Sequence, residues 1–84
     1  MIKEMIFTIE SGESYYVVEE LEYENHKYAL GLQCDLETDQ VINQNELVLF
    51  EVVAGDELEL KPVDDEKFAD KIASMIFEKM RRDN

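Results

Sequence analysis

The chain has 84 residues, which allows one small hydrophobic core, and we expect a single domain that covers residues 1–84. With 21 acidic and 8 basic residues its formal charge is −13, so direct binding to nucleic acid or to an anionic membrane is disfavoured. A single cysteine excludes an internal disulfide and favours a reducing compartment, and no segment approaches the run of about 20 apolar residues that spans a bilayer. We therefore expect a cytoplasmic protein without a signal peptide.

The first two predicted strands are separated by a turn at residues 11–13. Residues 4–10 alternate between apolar and polar side chains, which predicts a half-buried strand. Residues 14–24 are rich in tyrosine, valine and glutamate and predict a longer strand. Its odd-numbered residues are apolar except Glu19, which interrupts the alternation. A β-bulge near Glu19 and Glu20 is one interpretation of this strand.

Three further strands complete the predicted sheet. A turn at residues 25–26 precedes residues 27–34, whose regular alternation gives the clearest hairpin signal in the chain. Residues 47–53 and 57–61 have the composition of strands. The polar residues 35–46 predict a connecting loop.

A C-terminal helix is predicted over about residues 65–82. Pro62 cannot donate a hydrogen bond to a sheet and ends the last strand, and Asp64 or Asp65 is the predicted N-cap. Apolar side chains then recur at spacings of three and four, as an amphipathic helix requires: Phe68, Ala69, Ile72, Ala73, Ile76 and Met80. Acidic residues at the start and basic residues in the last turn suit the helix dipole.

Together these elements predict an α+β fold, namely a five-stranded antiparallel β-meander over about residues 4–61 with one C-terminal amphipathic helix packed on one face. Nothing in the pattern indicates a repeat, a linker or a second domain. Because one helix covers only one side of a sheet, we expect part of the other face to stay in contact with water.

Two segments carry a family resemblance. Residues 21–30, LEYENHKYAL, form a tyrosine, turn, lysine, tyrosine, alanine hairpin, and residues 58–68, LELKPVDDEKF, place a proline and acidic residues at the start of the helix. Both segments resemble the YrzB-like family of small acidic bacterial proteins of unknown function. The resemblance implies a bacterial, Gram-positive origin and a cytoplasmic setting. It implies no activity, cofactor or catalytic residue, because none is established for that family.

Residues 35–46 have the ligand spacing of a calcium-binding loop. Such a loop places oxygen ligands at positions 1, 3, 5, 9 and 12, which are here Asp35, Glu37, Asp39, Asn43 and Glu46. Gln40 stands where the turn of such a loop needs glycine, and the flanking segments are predicted strands where helices are required. An acidic, solvated loop explains the same residues, so calcium binding is kept as an alternative function.

No catalytic constellation is visible. His26 and Cys34 are the only histidine and the only thiol, and a strand over residues 27–34 would hold them about 26 Å apart, too far for a cysteine–histidine pair. One residue of each kind cannot form a zinc site, and the isolated glycines form no phosphate-binding loop. We therefore predict no catalytic residue, no cofactor and no enzymatic activity.

A protein-interaction surface is the leading functional hypothesis. An acidic stripe is predicted on the second strand, because alternate residues of a strand project to the same face and here they are Glu20, Glu22 and Glu24. Tyr16 offers an aromatic anchor beside this stripe. We expect these residues to contact a protein partner, and charge favours a basic one. Two alternatives are open: mimicry of nucleic acid towards a basic protein, and calcium binding at residues 35–46. The sequence fits either a monomer or a weak homodimer.

Overall fold

The computed structural model describes residues 2–35, 37, 40–41 and 47–82. Within these residues, six strands and one helix follow one another: β1 (Ile6–Thr8), β2 (Ser14–Tyr23), β3 (His26–Asp35), β4 (Gln40–Val41), β5 (Leu47–Ala54), β6 (Leu58–Pro62) and α1 (Glu66–Arg82). The main sheet has the order β1-β2-β3-β5-β6 and every pair is antiparallel. This arrangement confirms the predicted α+β meander with its C-terminal helix.

The short strand β4 was not predicted. It pairs with the end of β3, where Cys34 lies opposite Val41, while Leu32 lies opposite Leu47 of β5. Both pairs lie on the side of β3 that faces away from β2. Residues two positions apart on β3 therefore have partners six positions apart, one on β4 and the other on β5.

The turn between β2 and β3 consists of Glu24 and Asn25, because Tyr23 already pairs with His26. Both turn residues have positive φ angles, 50° and 68°, as in a type I′ turn, whose twist matches that of the flanking strands. The prediction of a turn at residues 25–26 was wrong by one residue. Asparagine tolerates the left-handed region, whereas Glu24 adopts it at a cost of about 1 kcal/mol.

A bulge in β2 decides which side chains meet. The register of β2 against β3 shifts between Val17 and Glu19, which confirms the bulge predicted near Glu19. Val17 pairs with Gly31 on one face of the sheet, whereas Leu21 pairs with Tyr28 on the other face. Residues of the same parity therefore point to opposite faces before and after the bulge.

Helix α1 packs across one face of the sheet, called the helix face, whose buried side chains are Tyr28, Leu30 and Leu49. Ile72 and Ile76 are fully buried against them, as the apolar spacing predicts. The carboxylate of Asp65 accepts the N–H of Phe68 at 3.1 Å and caps the helix. Within the part of the chain that the structure describes, no helix combines the length and apolar character needed to cross a bilayer.

The opposite face of the sheet, called the inner face, is buried at its centre, while Glu22, Lys27 and Leu58 on the same face are exposed, so part of it stays in contact with water as expected. Val17 and Phe50 have no exposed surface there. The sheet curls until its two ends contribute to one apolar cluster, in which Phe7 of β1 packs with Leu60 of β6. Ile2 completes the cluster and is 4% exposed. Curvature therefore buries the centre of the face that no helix covers.

Candidate interaction surface

The four predicted partner-binding residues do not share one face. Tyr16 lies on the helix face, where it is partly exposed. Glu20 pairs with Ala29 and lies on the inner face with Glu22, while Glu24 lies in the hairpin turn. The bulge in β2 therefore separates Tyr16 from the predicted acidic stripe, and the turn separates Glu24 from Glu20 and Glu22. The role of these residues in binding stays a prediction.

The glutamates of β2 lie among lysines. The carboxylate of Glu20 accepts the N–H of Ile2 at 3.2 Å, and the carbonyl oxygen of Glu20 accepts a hydrogen bond from Nζ of Lys79 at 2.8 Å. Glu22 lies directly opposite Lys27 in the ladder. A mimic of nucleic acid needs a continuous row of negative charges, and these cations interrupt it.

Glu19 is a buried carboxylate that the sequence pattern did not reveal. It is 3% exposed, and its oxygens lie 3.2 Å from Nζ of Lys3 and 3.6 Å from Nζ of Lys79. Oε1 of Glu19 also accepts the N–H of Glu20 at 3.0 Å. Burial acts to raise the pKa of Glu19, but the hydrogen bonds and the two lysines outweigh it and hold that pKa below its usual value. This cluster joins the N-terminal segment, β2 and α1.

The structure describes only part of the predicted calcium loop. Asp35 ends β3, and its Oδ1 accepts the N–H of Glu37 at 2.9 Å, as in a turn stabilised by an aspartate side chain. Asp39, Asn43 and Glu46 lie outside the described residues. Among the residues that are described, no three carboxylate, histidine or cysteine side chains form a group that could hold a metal ion. Calcium binding at residues 35–46 stays a prediction.

His26 and Cys34 lie at opposite ends of β3, opposite Tyr23 and Ser14 respectively. The side chain of His26 is exposed and its Nδ1 lies 3.0 Å from Oε2 of Glu51. Cys34 is buried in the sheet. The two side chains are therefore held apart by the length of a strand, and they do not form a cysteine–histidine pair.

In the part of the chain that the structure describes, the curled sheet is not closed between its two terminal strands. β1 and β6 are the terminal strands, and within the described residues each pairs with a single neighbour. The N–H of Val63 bonds to the carbonyl oxygen of Leu49, which fixes the alternation of the ladder between β5 and β6. Odd-numbered residues of β6 bond to β5, so Leu58 and Leu60 turn their backbone N–H and C=O groups away from it.

An open groove of about 510 Å³ lies between these two strands. Thr8, Ile9 and Glu10 form one wall, and residues 57–61 form the other. Among the charged side chains of the walls, three are acidic and only Lys61 is basic. The groove therefore combines unpaired strand backbone with a negative rim.

Exposed large apolar side chains occur on or beside both terminal strands, and Leu58 is the one that lines the groove. The described residues include four large apolar side chains that are exposed, with the exposed fraction in parentheses: Met5 (48%), Ile6 (43%), Leu58 (48%) and Phe77 (43%). All except Phe77 lie in β1 or β6 or directly beside them. We call β1, β6 and the groove between them the open edge.

The position of the open edge was not predicted from the sequence. Both strands were identified, but their places at the ends of the sheet were not. One signal was present, because Pro62 lacks an N–H group and such a residue is confined to edge strands or strand ends.

No family model, curated protein or solved structure matches the chain. The resemblance to the YrzB-like family accordingly stays a prediction from the hairpin and the start of the helix. The open edge, which is defined by geometry alone, is the candidate functional site.

Proposed function

We propose that this is a non-catalytic protein-interaction module that binds a partner protein at the open edge. The supporting observation is that β6 turns outward backbone groups that pair with no other described strand, while the side chain of Leu58 is 48% exposed beside them. Unpaired strand edges with exposed apolar side chains are sites of association between chains. A bacterial, cytoplasmic setting belongs to the same proposal and is supported by the family resemblance and the single cysteine.

Charge favours a basic partner. The net charge of −13 accelerates encounter with a positively charged protein, and the acidic walls of the groove add a local attraction. The same charge opposes association of two copies at this edge. Salt should weaken the electrostatic part of binding and leave the contribution of apolar contacts such as that of Leu58.

Site-specific photocrosslinking tests the proposal. Leu58 is replaced by benzoylphenylalanine in one variant, and Phe77, the exposed apolar residue of α1, is replaced in a matched control. Each variant is irradiated in cytosol of the source cells at low and high salt, beside an acidic protein of equal charge. We expect one basic protein to attach to the position-58 variant only. If positions 58 and 77 attach the same proteins, or if the acidic control captures the same set, the open edge is not an interface.

A further inference from the structure

We infer that the open edge receives an extended segment of the partner in which a basic residue alternates with an apolar one, and that this segment pairs with β6 as an added strand. The inference rests on the proposed function and adds the conformation and the chemistry of the bound segment. Its first support is that the backbone N–H and C=O groups of Leu58 and Leu60 point away from β5. Only an extended chain beside β6 can form hydrogen bonds with both residues.

The two faces of β6 specify the alternation. Leu58 lies opposite Ala54, and its side chain projects to the inner face, whereas Glu59 lies opposite Val53 and projects to the helix face. A strand beside β6 places its successive side chains next to Leu58 and next to Glu59 in turn. Apolar and opposite-charge neighbours stabilise such cross-strand pairs, so an apolar residue fits the first position and a lysine or arginine the second.

The charges along β6 support a cation at this position. Lys61 is the one basic residue of the strand, and its partner in the ladder is the acidic Glu51. Glu57 and Glu59 have no described cation opposite them, since Glu59 pairs with Val53. A second copy of this chain would bring further glutamates to the same place, so a basic partner fits and a homodimer at this edge does not.

Pro62 limits the length of the added strand. Its position faces outward like those of Leu58 and Leu60, but it has no N–H group to offer. Pairing is therefore confined to the first residues of β6. The opposite wall places the acidic Glu10 and the outward-facing strand residue Thr8 near the same segment.

The test is an NMR titration of the ¹⁵N-labelled protein with two synthetic peptides of equal composition. In the first, lysine and valine alternate; in the second, the same residues follow the spacing of an amphipathic helix. We expect the alternating peptide to shift the amide signals of residues 8–10 and 57–61, and to bind about tenfold more tightly than the helix-spaced peptide. Equal affinities, or shifts confined to the hairpin around Glu22 and Glu24, overturn the inference.

Variants at Leu58 separate backbone pairing from side-chain contact. Leu58→Pro removes the outward N–H without removing a bond to β5, and Leu58→Ala removes only the side chain. We expect the proline variant to bind the alternating peptide about tenfold more weakly and the alanine variant about threefold more weakly. Equal effects of the two substitutions contradict strand addition.

A charge-reversal pair makes the test independent of the proline substitution. Glu57→Lys with Glu59→Lys should weaken binding about tenfold at low salt, and the matched pair Glu66→Lys with Asp70→Lys on the exposed side of α1 should change it less than about twofold. Equal weakening by the two pairs shows that only net charge acts and overturns the inference. If the peptides fail while position 58 still crosslinks a partner, the added strand is wrong and the proposed function stands.

Discussion

Lys3 and Glu19 connect the N-terminal segment to the bulged part of β2, with Nζ of Lys3 3.2 Å from Oε2 of Glu19. Lys79 approaches the other carboxylate oxygen of Glu19 at 3.6 Å from the opposite end of the chain. Glu19 is 3% exposed, whereas both lysine side chains reach solvent. One buried negative charge is thus shared by two cations that can partly replace each other.

Removal of both lysines should cost more than the sum of the single removals. We expect Lys3→Met and Lys79→Met each to lower the free energy of unfolding by about 1 kcal/mol, because the other lysine still faces Glu19. The double variant should lose about 3 kcal/mol or more, since the buried carboxylate is left without a cation. Urea denaturation measures the free energies of unfolding of the native chain, the two single variants and the double variant, with Lys67→Met as an exposed control. A purely additive double variant would show that the two lysines do not share Glu19.

Glu19 should also make stability depend on pH at the acidic end. Its pKa in the folded protein lies below the unfolded value of about 4.3, so its stabilising contribution is complete above that value and is lost as the pH falls through the folded pKa. We expect the difference in free energy of unfolding between the native chain and Glu19→Gln to shrink as the pH falls below about 4. The other carboxylates are common to both proteins and cancel in this difference. A difference that stays constant into strong acid contradicts the lowered pKa.

The hairpin turn offers a stabilising substitution. Glu24 has a φ of 50°, a conformation that asparagine and glycine adopt at lower cost than glutamate. We expect Glu24→Asn to raise the free energy of unfolding by about 0.5–1 kcal/mol and Asn25→Ala to lower it by about 1 kcal/mol. Thermal unfolding of both variants gives the answer, and a stabilising Asn25→Ala would argue against the type I′ turn.

Gly31 and Gly55 should respond differently to the same added methyl group. A Cβ atom at Gly31 would lie 3.2 Å from Cε2 of Phe50 and 3.2 Å from Cβ of Tyr15, so the packed inner cluster has to move. We expect Gly31→Ala to cost about 1–3 kcal/mol. At Gly55 the nearest atom lies 3.8 Å away, and Gly55→Ala should be neutral within about 0.5 kcal/mol. Equal effects in urea denaturation would show that the inner cluster is not tightly packed around Gly31.

Local patterns predicted much of the fold because they reflect local causes. The spacing of Ile72 and Ile76 follows from helix geometry, and Asp65 caps the helix through a contact three residues away. Pro62 indicated the end of the last strand because proline itself has no N–H group to donate to a ladder. Periodicity and turn chemistry are sufficient for features of this kind.

Other features depend on contacts between distant parts of the chain, which a single sequence does not reveal. Ile2 is buried because the sheet curls around it, and Glu19 is tolerated in the interior because Lys3 and Lys79 reach it from two other elements. The bulge reverses the faces of β2, so Tyr16 and Glu20, which appeared to border one stripe, point apart. The open edge was missed for the same reason, because strand order is a property of the whole sheet.

The inner cluster, in which Ile2 packs with Leu60, has a consequence for synthesis of the protein on the ribosome. Ile2 and Phe7 emerge before Leu60, and the cluster that buries them is incomplete until β6 has left the exit tunnel. Closure of so long a segment is slow compared with formation of the neighbouring hairpins. The nascent chain therefore passes through a stage in which β1, β2 and β3 can pair while their inner face is still apolar and uncovered, and chaperone contact is most favourable at that stage.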